Sequence, residues 1–173
     1  EDEGPNRKRS NATIEILRGE PTMNSANSVD VTISKARREE LPEILALLDE
    51  CDLPREGLAD HLDTIIVAKD GTRVAGCAAL ELYQEYALLR SLAVKETHRK
   101  RGLATRLTNA ALDLARNYQV ITVYLLTETA STFFPRLGFK PISRSEVPQK
   151  VQSSIEFATL CPKSATTMMT ILT

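Results

Sequence analysis

Arg99-Lys100-Arg101-Gly102-Leu103-Ala104 sets three cations directly ahead of a glycine and a helix-forming run. That pattern suits a pyrophosphate. Gly102 lacks a Cβ, so the chain can turn tightly and bring its backbone close to a ligand. The free N–H groups of Leu103, Ala104 and Thr105 at the helix start would then point at the anion, and the helix dipole would favour it. Without an anion, cations at a helix N-terminus oppose the dipole, so a bound phosphate explains the arrangement better than a solvated charge run. For so short a motif both readings stay open.

The loop must be placed by the elements around it, and periodicity outlines them. Val31 to Ala36 reads as a strand and Glu39 to Asp49 as a helix with Pro42 in its first turn, where proline is tolerated. Glu56 to His61 suggests a short second helix. Thr64 to Lys69, Thr72 to Tyr83 and Ala87 to Val94 read as consecutive strands of an antiparallel meander, the first two joined by the turn signal Asp70-Gly71. Gly102 to Asn117 has amphipathic helix spacing and Val120 to Leu126 the apolar run of a buried strand. Ala130 to Leu137 reads as a helix capped by Gly138, followed by a strand from Phe139 to Ile142, a helix from Pro148 to Phe157 and a last strand from Thr166 to Leu172.

Leu89-Arg90-Ser91-Leu92-Ala93-Val94 followed by Arg99-x-x-Gly102-x-Ala104 resembles the strand and phosphate loop of the GNAT superfamily of N-acetyltransferases. Ala130 to Phe139 is similar to that family's short helix ending in Gly-Phe, and the two landmarks come in the family's order. The resemblance covers the chain from Val31 to Leu172. It implies an α/β fold whose mixed, mostly antiparallel central sheet splays around acetyl-CoA, the co-substrate of transfer to an amine, with no metal. Arg99, Lys100, Arg101, Gly102, Leu103, Ala104 and Thr105 would hold the pyrophosphate. Peptide groups of Leu92, Ala93 and Val94 would serve the thioester carbonyl, and Phe133 and Phe134 would border the same ligand.

Within the superfamily, Leu125 to Ala130, Gly138-Phe139 and Val147-Pro148-Gln149 resemble single-domain relatives of N-acetylglutamate synthase. Ala87 to Leu92 with Glu156-Phe157 and Cys161 to Ala165 are similar to the branch of arsenic-resistance N-acetyltransferases. This implies a small acceptor with a free α-amine, an amino acid or an arsenic-bearing analogue. A non-catalytic acyl-CoA-binding regulator and a protein N-acetyltransferase are the alternatives. Homodimers are common among such relatives, and the Met-rich segment Thr166 to Leu172 would suit an interface.

Acetyl transfer needs a neutral amine, a polarised thioester and a proton for the departing thiolate. Leucine stands at position 88, where relatives carry a glutamate base, and Phe134 stands where a general-acid tyrosine is frequent. That leaves a water relay, Glu81 or Glu128, or an amine that arrives partly deprotonated. Arg90 shares a strand face with position 88 and could hold an acceptor carboxylate bidentately; an internal ion pair with Glu81 or Glu128 is the other reading. Thr127 is placed to bind substrate or the pantetheine arm, and Glu81 and Tyr83 share a face that could line the cleft. His61 reads as a helix-end residue and His98 as solvated.

Composition bounds the rest. The 173 residues, 42% hydrophobic and 26% charged, fit one ordinary domain. A net charge of -1 offers no electrostatic footprint for nucleic acid. Cys51, Cys77 and Cys161 are scattered, which suggests neither a zinc site nor a disulfide framework and points to a reducing, cytoplasmic setting. No apolar run reaches the length of a membrane span. Residues 1–29 hold few large apolar side chains and read as a flexible arm before a domain at residues 30–173, with Met23 as a possible natural start. The N-terminal mass of the native protein checks that start.

Overall fold

Runs rich in apolar and β-branched residues, near-continuously buried in β2 to β4, form four strands that pair antiparallel in chain order: β1 Thr32–Lys35, β2 Ile65–Asp70, β3 Arg73–Tyr83 and β4 Tyr86–Val94. The computed structural model describes residues 30–173, so the arm expected over 1–29 and the Met23 start lie outside the described residues. Gly71, with φ of 62°, makes the tight connection between β2 and β3 that Asp70-Gly71 announced. The sheet continues with β5 Thr122–Thr127 parallel to β4, then β7 Thr166–Ile171 and β6 Lys140–Ile142, in the order β1-β2-β3-β4-β5-β7-β6.

Both faces of the sheet are covered. On one face lies α2, Leu103–Asn117, whose Leu103, Leu107, Ala111 and Leu114 recur at helical spacing and bury against Ala78, Leu80 and Leu89. The opposite face carries α1, Leu41–Glu50, whose Ile44, Leu47 and Leu48 pack on Ile65, Val67 and Ala79. Farther along that second face, Leu88 and Tyr124 meet Val147, Val151 and Phe157. Among the described residues no helix is long and apolar enough to cross a membrane.

Several expected elements differ in kind. Ala130 to Leu137 is a turn leading into a single 3-10 stretch, Phe134–Leu137, because Pro135 has no N–H with which to continue an α ladder. Gly138 still ends it in the left-handed region. Pro148 to Phe157 breaks into α3, Gln149–Gln152, and a π-turn, Glu156–Leu160. Serines cause the break: Ser153 Oγ donates to the Lys150 carbonyl, and Ser154 Oγ accepts from the Glu156 N–H. The helix expected near Glu56 to His61 is a 3-10 segment, Leu58–Thr64. His98 is not solvated but hydrogen-bonded to Asp70 at 2.9 Å and to Thr97. Nor does the Met-rich strand offer a free edge, since β7 is paired on both sides and Met168 is in the core.

Gly76 is a steric requirement that its sequence context does not announce. A Cβ there would stand 2.8 Å from Leu107 Cδ1 and 3.0 Å from the Ala93 carbonyl oxygen, which is backbone and cannot swing aside. Gly76→Ala is expected to destabilise the fold by about 1–3 kcal/mol through overpacking, read from urea unfolding midpoints.

Candidate active site

The parallel register between β4 and β5 ends at Leu89 and Leu125. Just beyond, β4 bulges: Cys77 faces Ala93 while Ala79 faces Arg90, and Ser91 enters the left-handed region at φ 57°. A non-glycine residue held there costs about 1–3 kcal/mol and needs support from its surroundings. The Cys77 thiol gives some, donating to the Ser91 carbonyl at 3.2 Å. Burial pushes that thiol up to about 12, so it stays protonated and able to donate.

The parted strands enclose a cavity of about 460 Å³, within the size range of small-ligand sites. Leu88 to Leu92 form one wall and Leu125 to Ala130 the other, with Cys51 to Pro54, Phe134, Glu156 and Cys161 closing it. Phe134 stacks edge-on with Phe133 and Phe139 at centroid distances of 5.0 and 5.5 Å. Of the two phenylalanines expected beside the ligand, Phe134 lines the cavity and Phe133 buttresses it.

Where β4 runs out past Val94, the basic loop leads to the N-terminus of α2. Gly102 is the N-cap residue at φ 73°, with no side-chain cap and no acid in the first turn. Lys100 is also left-handed at φ 62°, so two positive-φ residues turn the chain sharply just before α2. Space beside Gly102 is open, with no atom within 4 Å of a Cβ built there. Arg99 is tied back to the strand, its Nε donating to the Val94 carbonyl at 3.0 Å and its Nη2 lying 3.6 Å from Cys51 Sγ. Lys100 and Arg101 are exposed. A pyrophosphate therefore fits the loop on geometry as well as on charge.

Under the cavity lies a buried ionic network. Arg90 Nη1 donates to Glu81 Oε1 at 2.7 Å, and Nη2 lies 3.0 Å from Glu156 Oε1. Nη2 also donates to the Glu56 carbonyl at 2.8 Å and Nε to Ser91 Oγ at 3.2 Å. Tyr83 OH donates to Glu81 Oε2 at 2.5 Å, and His61 Nε2 is 3.7 Å from Glu81 Oε1. Burial works against ionisation of Glu81, but donors from Ser154, Tyr83 and Arg90 outweigh it and hold the carboxyl below its ordinary value. Burial and that same carboxylate push Tyr83 up to about 12.

The predicted residues thus divide. Arg90 and Thr127 line the cavity, whereas Glu81 stands behind Arg90. The internal pair foreseen for Arg90 forms with Glu81, and its second carboxylate is Glu156 rather than Glu128, which is exposed at the cavity rim. Thr127 Oγ1 accepts from the Ala130 N–H at 2.9 Å and fixes the turn after β5. Sequence reasoning missed Glu156, Ser154 and the Cys51 to Pro54 segment. An acid between Ile155 and Phe157, in an otherwise apolar stretch, was the available signal.

Glu81 contributes stability while ionised, fully so above the ordinary carboxylate value of 4.5 and progressively less as pH falls through its lowered value. Glu81→Gln should cost roughly 3–5 kcal/mol at neutral pH, because it strips a buried guanidinium of one partner. It should also flatten the loss of stability below about pH 5, as measured by urea unfolding across pH.

Residues 61–141 match the family model for the acetyltransferase (GNAT) domain. An uncharacterized N-acetyltransferase of Chlorobaculum tepidum is 35% identical over 109 residues, spanning 62% of this chain and 68% of that protein. The fold is similar to N-acetylglutamate synthase from Neisseria gonorrhoeae complexed with coenzyme A and N-acetyl-glutamate, with TM-score 0.72 and 23% identity. That likeness covers 83% of this chain but only 35% of the synthase, so the chain spans about a third of the length of that protein. A Mycobacterium tuberculosis protein in complex with CoA matches with TM-score 0.71 and 24% identity, over 82% of this chain and 99% of its own. The basic loop at the start of α2, the parted strands and these relatives agree: the chain belongs to the GNAT family of acetyl-CoA-dependent N-acetyltransferases.

Proposed function

We propose that this protein transfers the acetyl group of acetyl-CoA to the free amine of a small acceptor, an amino acid or amino-acid analogue. The observation that carries this reading is the continuity of β4, which borders the cavity with its bulge and then leads into the anion-binding loop. A ligand with its pyrophosphate at Gly102 can run its pantetheine arm along that strand. Its thioester then lies between β4 and β5, where the bulge frees β4 backbone from ladder pairing with β5. A backbone N–H near Leu92 would polarise the carbonyl there, with little reorganisation in a water-poor site.

Charge favours the amine end of the acceptor. Among the described residues, Asp52, Glu128 and Glu156 line the cavity and Arg90 is its one cation. Arg90 already points its donors at Glu81, Glu156, the Glu56 carbonyl and Ser91, so an acceptor carboxylate would have to compete with Glu156 for it. We therefore assign Arg90 and Glu81 to positioning, and Thr127 to shaping the wall. An arsenic-bearing acceptor keeps the same amino-acid frame and rests on the sequence resemblance alone.

Release of CoA thiol should depend on added amine when free amino acids, their amides and short peptides are compared. Release with peptides alone would replace the small acceptor by a protein one, and no release despite tight acetyl-CoA binding would favour a regulator. Gly102→Glu should abolish acetyl-CoA binding in calorimetry by placing a carboxylate at the anion site. Because the space around Gly102 is open, only the left-handed backbone is penalised, by about 1–2 kcal/mol, and the fold should persist. Unchanged affinity would refute the loop assignment.

A further inference from the structure

We infer that Glu156 accepts the proton of the acceptor amine, supplying from the π-turn the carboxylate that β4 lacks; this rests on the acetyl-transfer reading above. Position 88 is filled by a leucine that is 1% exposed, packed with Tyr124, Val151 and Phe157, so the strand itself has no acid there. Three carboxylates line the cavity. Asp52 and Glu128 are exposed, whereas Glu156 lines the cavity while only 7% exposed. Among the described residues, Glu156 is the one carboxylate that combines contact with the cavity and shelter from water.

Its two oxygens are held differently. Oε1 is fixed by Arg90 at 3.0 Å, and Arg90 is itself fixed by Glu81 and the Glu56 carbonyl. Among the described residues Oε2 takes only the Cys161 thiol, at 2.9 Å, and that thiol also lines the cavity. A thiol is a weak donor, so the N–H of an ammonium can displace it at little cost. Burial and the Glu156 carboxylate push Cys161 up to about 12, which keeps it a neutral donor rather than a competing anion.

The charge count points the same way. Two carboxylates, Glu81 and Glu156, share one guanidinium in a buried cluster, an excess of one negative charge over that fixed cation, with only the His61 ring near Glu81 at 3.7 Å among the described residues. A cationic amine, or its proton, neutralises that charge. Once Glu156 is protonated, Arg90 still has Glu81. The other groups around this cluster are Tyr83 on β3, His61 on the 3-10 segment, Arg144 against Phe157, and Glu128 at the rim.

In the step itself, one proton passes from the ammonium to Glu156 Oε2. The freed nitrogen lone pair forms the C–N bond at the thioester carbonyl, and the C–S bond breaks with its electron pair on sulfur. The second amine proton goes to that sulfur, giving CoA thiol, and Glu156 returns its proton to solvent. A π-turn, whose widened ring displaces side chains from helical register, is a recurrent way of aiming one residue into a site.

The test is kcat/KM against pH for the best-used amine among L-amino acids, their amides and short alkylamines. Glu156→Gln should lower kcat/KM about 100-fold at neutral pH, mainly in kcat, with recovery at high pH as the amine loses its own proton. Acetyl-CoA affinity by calorimetry should be unchanged, which also verifies that the variant is folded. Glu156→Asp should keep the wild-type shape of the pH profile at reduced rate. If the unaltered protein turns over while Glu156→Gln matches it in rate and profile, or differs in KM alone, the inference is overturned. If the unaltered protein acetylates no amine, the acetyl-transfer reading falls and the inference with it.

Discussion

The parting of β4 from β5 is the constraint on which the site depends. A parallel pair would ordinarily continue its evenly spaced ladder to the strand ends. Here it stops at Leu89 and Leu125 because the extra residue at Ser91 turns β4 aside, while β5 goes on to Thr127 paired only with β7. The bulge is held from behind: the Cys77 thiol binds the Ser91 carbonyl, and Gly76 lets β3, β4 and Leu107 of α2 approach too closely for any Cβ. Strain at one residue is thereby exchanged for a cavity between two central strands. The same displacement leads β4 toward the loop that feeds α2.

Opening a sheet exposes its middle, and the Arg90 network fills part of that opening. A buried guanidinium with two carboxylates carries a large desolvation cost, so it persists only where nearly every donor has a partner. Glu81, Glu156, the Glu56 carbonyl and Ser91 provide those partners from β3, the π-turn, the segment before the 3-10 helix and β4 itself. Three separated stretches of chain are thus tied to one side chain of β4. Apolar packing alone does not specify this point, because Leu88 and its neighbours cover only the adjoining part of that sheet face.

The sequence was most legible where structure is local. Asp70-Gly71 marked its hairpin, the apolar spacing of Leu103, Leu107, Ala111 and Leu114 marked α2, and Gly102 marked the left-handed start of that helix. It was least legible where a residue's conformation depends on distant partners. Nothing in Arg90-Ser91-Leu92 announces a left-handed serine, since that conformation answers a register set by β3. The helix expected over Pro148 to Phe157 has the right periodicity, but Ser153 and Ser154 turn their hydroxyls on the backbone and split it. Arg90 was recognised as important, yet its second carboxylate comes from beyond that break.

That break has a chemical consequence. A continuous helix from Pro148 would carry Glu156 on at regular spacing, whereas the serine-induced interruption lets the chain restart as a wide turn under the cavity. The acid then meets Arg90 on the strand face where position 88 is apolar. A carboxylate on the strand would sit beside the thioester and depend on the strand for its orientation. One on the turn takes its orientation from Arg90 instead. In this chain Arg99 to Ala104 opens α2 just beyond the end of β4, whereas Glu156 reaches Arg90 from the C-terminal segment.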